Sequence, residues 1–134
     1  MNLAELEKFA QRYAKAWCSQ DPETVAAFFA ARGSISINNG PAAVGRAAIA
    51  KEAQAFMTTF PDMIVTFDKL EPRQNAVAFH WTLIGTNTDP GGTGKKVRIS
   101  GYELWKIDND GLIGESKGHF DSAEYERQFK GSDK

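Results

Sequence analysis

The hydrophobic period of this chain changes at Pro61-Asp62, and that change constrains the fold more than any other feature. Before it, apolar residues recur every three or four positions. Leu3, Leu6, Phe9, Tyr13 and Trp17 trace one face of an amphipathic helix of about four turns. Gln20-Asp21-Pro22-Glu23 ends that helix and starts another. Asp21 suits the N-cap, Pro22 the first helical position, and Glu23 the positive end of the dipole. Val25, Phe28 and Phe29 give the second helix its apolar side, and Gly33 is expected to stop it. Ser34 to Asn38 alternates as a short strand, and Asn39-Gly40-Pro41 reads as a turn or loop. Arg46 to Thr59 is predicted as a third helix, with Ile49, Ala53 and Phe56 on one side.

After Pro61 the period is two. Met63, Val65 and Phe67 alternate with Ile64, Thr66 and Asp68. Val77, Phe79, Trp81 and Leu83 form a second run, Val97 to Ile107 a third, and Leu112 to Phe120 a fourth. Pro72 to Asn75 and Asn109-Asp110-Gly111 are short hairpin connections, the latter with an Asp-Gly signal. The segment 89–94 is a longer loop. Helices first and strands later is the α+β pattern. Three helices cover one face of such a sheet, and a partner subunit is the natural cover for the other. A sheet curled around the helices would place its large rings along a cone.

Composition enters through those rings. Nine Phe, three Trp and three Tyr are generous for 134 residues, which make one domain, 1–134, with 130–134 expected as a frayed tail. The net charge of −1 gives no field that would favour nucleic acid or an anionic membrane. No apolar run approaches the ~20 residues of a membrane span. The polar, acidic start is no signal peptide, and Cys18 has no partner for a disulfide, so a reduced cytoplasmic compartment is expected. His80 and His119 fall on different predicted strands, so a metal site would need carboxylates to complete it, and none is expected.

Several segments resemble the SnoaL-like polyketide cyclase group of the NTF2-like superfamily. Trp81-Thr82-Leu83-Ile84-Gly85-Thr86-Asn87-Thr88 is similar to the family's Trp-x-Leu-x-Gly-Thr-His-Thr. Gly92-Thr93-Gly94-Lys95 resembles its Pro-Thr-Gly-Lys loop, and Asp110-Gly111-Leu112-Ile113-Gly114-Glu115 its Asp-Gly-Lys-Ile-x-Glu. His119-Phe120-Asp121 matches the aromatic-aromatic-Asp that closes the last strand, and Gly45-Arg46 fits the start of the third helix. The resemblance implies an NTF2-like cone: three N-terminal helices on a curved, mostly antiparallel sheet, a short C-terminal helix, a deep pocket and a homodimer. It also implies that Asp121 acts as general acid/base on an enolisable polyketide, with no metal or organic cofactor.

Each candidate residue has a functional and a structural reading. Asp121, beside apolar rings at a strand end, suits general acid/base work. Asp121-Ser122-Ala123-Glu124 is equally an N-cap pattern. His119 is its candidate helper, or a hydrogen-bonded histidine at the strand end. Lys117 stands where the family often has Trp. It would draw an anionic ligand if it pointed inward, or pair with Glu115 or Glu103. Tyr13 and Trp17, one turn apart, are core residues or a pocket wall with a hydroxyl donor. Phe28, Phe56, Phe60, Trp81 and Trp105 are wall or core rings. Trp105 and Tyr102 fall on opposite faces of their strand. Asn87 replaces the family's His, keeping hydrogen bonding and losing titration.

Related mechanisms are incomplete. Asn38 stands where ketosteroid isomerases of the superfamily carry a base. Gly85-Thr86-Asn87 replaces the Arg-x-Asp of its epoxide hydrolases. Three functions follow as expectations: a cofactor-independent cyclase, isomerase or dehydratase acting on a hydrophobic carbonyl compound, a non-catalytic binder of a small apolar molecule, or an interaction module using its sheet face.

Overall fold

The computed structural model describes residues 2–88 and 91–130. The first helix, α1 (Leu3–Cys18), opens with a reciprocal cap. The Asn2 side chain accepts from Glu5 N–H at 2.8 Å, and Glu5 accepts from Asn2 N–H at 3.0 Å. Its apolar face buries Phe9, Tyr13 and Trp17. The second helix, α2 (Pro22–Ala26), has Asp21 as its N-cap, accepting from Glu23 N–H at 3.1 Å.

The expected extension of this helix through Phe28 and Phe29 to Gly33 is corrected. The chain leaves the helix at Ala27, and β1 runs over Phe29–Ile37. Phe29 pairs with Ile113 of the last strand, and the Phe28 carbonyl accepts from Ile113 N–H at 3.0 Å. Those long-range bonds outweigh a local helical pattern. Gly33 therefore lies inside a strand, at a register shift. A Cβ there would stand 2.7 Å from the Ile113 carbonyl oxygen.

Part of the expected loop after β1 is a two-residue strand, β2 (Ala43–Val44), paired antiparallel with Ser34 and Ile35. The third helix, α3 (Arg46–Thr59), follows with the predicted bounds. Then come β3 (Ile64–Arg73), β4 (Ala76–Thr86), β5 (Lys96–Ile107) and β6 (Ile113–Phe120), and finally α4 (Ser122–Lys130). Residues 89–90 of the predicted loop and 131–134 of the predicted tail lie outside the described residues.

Among the described residues the sheet has six strands in the order β2-β1-β6-β5-β4-β3. The β3–β6 meander is antiparallel, and β1 joins β6 in parallel. Bulges between Phe67 and Lys69 and between Lys106 and Ile107 bend the strands. The result is the expected α+β fold with a curved sheet around the helices.

The core lies between the helices and the concave face. Tyr13, Phe29, Phe79 and Trp105 are at most 1% exposed. Phe79 stacks on Trp105 at 4.8 Å, and Tyr13 meets both rings edge-on at 5.3 and 5.2 Å. Cys18 is structural: its Sγ accepts from Val65 N–H at 3.2 Å. No helix among the described residues is long and apolar enough to cross a membrane.

Candidate functional site

Two cavities open between the helices and the sheet. The inner one, about 70 Å³, is bounded by Trp17 of α1, Phe56 of α3, and the inward residues of β1 and β3–β6. The outer one, about 240 Å³, lies towards α4 and is bounded by Phe60, Ile99 and Tyr125 among others. Phe56, Trp81, Leu83 and Phe120 border both, so the two cavities adjoin there. The inner wall is almost wholly apolar. Among the described residues its one acid is Glu103.

Glu103 is 7% exposed, in the middle of β5. Alternation sets it on the same face as Trp105, two residues on. Its Oε1 accepts from the Ser116 hydroxyl at 2.7 Å, the Trp105 indole N–H at 2.9 Å and the Tyr13 hydroxyl at 2.9 Å. Its Oε2 is in reach of Tyr13 alone among these donors, at 3.2 Å. No salt bridge involving Glu103 occurs among the described residues. Burial raises its carboxyl above the ordinary value, against the opposing hydrogen bonds of Trp105, Ser116 and Tyr13. Burial, and then the charge of Glu103, hold the Tyr13 hydroxyl well above its ordinary value. The indole N–H of Trp17 opposes that shift from nearby, without a hydrogen bond of acceptable geometry. Its Nε1 is buried and has no hydrogen-bond partner among the described residues.

The structure brings several predicted residues together and separates others. Trp17, Phe56 and Trp81 line the inner cavity, and Phe60 lines the outer one. Trp105 and Tyr13 lie behind the inner wall and hold Glu103. Phe28 packs edge-on against Phe9 and Tyr13 at 5.2 and 5.6 Å. Asn87 is buried, and its amide donates to the Tyr125 hydroxyl at 2.5 Å, tying β4 to α4. Asn38 accepts from Phe120 N–H at 2.9 Å, fastening β1 to β6.

Asp121 is exposed at the start of α4 and borders neither cavity. Its Oδ1 accepts from Glu124 N–H at 3.1 Å, the N-cap arrangement. His119 belongs to the inner wall, but its ring lies with Tyr102 on the convex face, at 5.1 Å. His80 lies on the other side of Tyr102 at 5.6 Å, and its Nε2 meets Glu71 at 3.0 Å. Lys117 is exposed on that same convex face, directly across from Leu104. Glu115 pairs with Lys106 instead, at 3.5 Å. Among the described residues no group of three or more His, Cys, Asp or Glu could hold a metal ion.

Sequence reasoning missed Glu103, Ser116, Gly118 and Tyr125. A signal for Glu103 was present. It shares the inward phase of Val97, Ile99 and Trp105, where an acid breaks an apolar series.

Comparison with known proteins agrees with this fold. The model of the SnoaL-like domain matches residues 10–116. The chain belongs to the SnoaL-like family. No curated protein matches it by sequence. A protein with a ketosteroid isomerase-like fold from Catenulispora acidiphila, solved with trimethylamine, is 17% identical, with a TM-score of 0.80 over 92% of each chain. A candidate SnoaL-like polyketide cyclase from Jannaschia is 14% identical, with a TM-score of 0.80 over 96% of this chain and 92% of that one. A candidate polyketide cyclase from Xanthomonas campestris is 21% identical, with a TM-score of 0.77 over 96% of this chain and 99% of that one. At such identities the likeness shows the fold alone, that of the SnoaL-like and NTF2-like proteins.

Proposed function

We propose that this SnoaL-like protein binds a largely apolar ring ketone and moves a proton on it, with Glu103 as the acid/base and no cofactor. One observation carries the reading: a buried carboxyl, raised above its ordinary value, stands in the wall of an otherwise apolar cavity. Oε1 already takes three donors, so Oε2 is the atom left for substrate. As carboxylate, Oε2 takes a proton from the carbon beside the ketone. The C–H electron pair forms a C=C bond to the carbonyl carbon, and the C=O π pair moves to the oxygen, giving an enolate. The resulting carboxylic acid then returns the proton to carbon. Tyr13, Trp105 and Ser116 hold the carboxyl still, and the rings exclude water. The candidate polyketide cyclases sharing the fold support the choice of an enolisable ligand.

Glu103 takes the role that the resemblance implied for Asp121, because Asp121 is solvated and caps α4. The test is exchange of the α-protons of 1-tetralone in D2O, followed by NMR. Wild type should accelerate exchange, and Glu103→Gln should slow the catalysed rate by about 10²-fold or more. Undiminished exchange in Glu103→Gln would refute the assignment. Loss in Asp121→Asn instead would return the role to Asp121.

The satisfied state of Oε1 favours a second reading, a non-catalytic binder in which Glu103 only fixes the pocket. That reading expects tetralone binding without any exchange above background. A homodimer through the convex sheet face belongs to either reading. The partly exposed His80-Tyr102-His119 row on that face supports it.

A further inference from the structure

Gly118 lies inside a strand, where glycine weakens the structure relative to alanine. Two ordinary reasons for a strand glycine fail here. Its φ is not in the left-handed region, so the backbone does not demand it. Space does not demand it either. A Cβ would stand 3.4 Å from the Ser36 carbonyl oxygen and 3.8 Å from both Glu103 Cγ and Ile37 Cγ1, close to ordinary contacts. Gly33 and Gly101 differ, because a Cβ there would meet backbone oxygens at 2.7 and 2.3 Å.

Gly118 does occupy a particular place. It pairs across the sheet with Glu103 on one side and Ile37 on the other, and it borders the inner cavity. A side chain there would fill space beside the buried acid while the strand stayed intact. A glycine inside a strand marks a bulge, a tight bend or a place where a ligand or another backbone comes close, and Gly118 lies at no register shift and in the cavity wall.

We propose that Gly118 is the specificity-determining position of the inner cavity. Its missing side chain leaves room beside Glu103 for the flat, unbranched head of a ring ketone, and the bulkier remainder of the ligand occupies the outer cavity. The relative sizes, about 70 Å³ inside and about 240 Å³ outside, suit a slim head and a wider body. This deepens the reading of Glu103 as the acid/base and rests on it for the ligand class.

The test measures binding and proton exchange separately. Trp17 and Trp81 line the inner cavity, so tryptophan fluorescence reads occupancy. Titrate wild type, Gly118→Ala, Gly118→Val and Glu103→Gln with 1-tetralone and with the smaller cyclopentanone, after thermal unfolding has confirmed that each is folded. Gly118→Ala should weaken tetralone binding at least fivefold while changing cyclopentanone less than twofold, and Gly118→Val should abolish tetralone binding. Folded Gly118 variants that keep the wild-type preference between the two ketones overturn the proposal, and Gly118→Ala alone decides if the valine variant does not fold. Exchange in D2O separates this from the function. If binding depends on Gly118 but no α-proton exchanges, the Glu103 chemistry fails and the specificity role stands. If exchange is lost in Glu103→Gln but untouched in the Gly118 variants, the Glu103 chemistry stands and the specificity role fails. Wild type that neither binds nor exchanges tetralone overturns both.

Discussion

Glu103 is held by three neutral donors and, among the described residues, no cation, so its environment sets its protonation through burial first and hydrogen bonds second. Removing a donor should therefore push it further up. Tyr13→Phe deletes the hydroxyl bonded at 2.9 Å, so any Glu103-dependent pH profile should move to higher pH. The same change should destabilise the fold by about 1–3 kcal/mol, because a buried acceptor loses a partner. A profile that stays in place while stability falls would show that Tyr13 is structural only. The raised carboxyl also links stability to pH. In the unfolded chain the group titrates near its ordinary value of 4.5, and in the folded chain it keeps its proton to higher pH. Its contribution is thus full below 4.5 and is lost as pH rises through the folded value. Melting curves of wild type against Glu103→Gln should show the difference shrinking or reversing in the direction of rising pH. A difference that grows with pH would contradict the burial argument.

At the scale of elements, local chemistry and long-range pairing compete, and the outcome depends on which satisfies more backbone. The α2 start is local: Asp21→Ala should cost about 1 kcal/mol through the lost cap, measurable by urea unfolding. Phe28 and Phe29 went the other way. Their apolar spacing after Val25 reads as helix, but the free edge of β6 captures the backbone there. Gly33 is where that capture is tightest. Gly33→Ala, which a helix would welcome, should instead destabilise by about 1–3 kcal/mol through crowding against the Ile113 carbonyl. A stabilised Gly33→Ala would mean that β1 starts later than described. The helix α4 shows a third balance. It has no fully buried residue, and polar ties hold it: Asn87 to Tyr125, and Gln128 to both backbone groups of Arg98 at 2.7 and 3.1 Å.

At the scale of the molecule, the sheet separates a ring-lined interior from a convex face carrying His80, Tyr102, Lys117 and His119. A homodimer across that face predicts a native mass of twice 14.7 kDa, and Tyr102→Glu should shift the population to monomer. A monomeric wild type at micromolar concentration would remove the proposed interface. Local pattern alone suffices for the order of the helices and the long strands, α3 to the residue, the four-strand meander and the opposite faces of Trp105 and Tyr102. These follow from periods of 3.6 and 2, which are properties of neighbouring residues. The tertiary structure decided which acid faces the cavity. Asp121 carries the family's motif, yet the turn into α4 exposes it. Glu103, which the sequence offers only as a pairing partner for Lys117, is carried inward by the pleat and buried by α1. Burial depends on residues ninety positions apart, such as Tyr13 and Glu103, and no local period records that meeting.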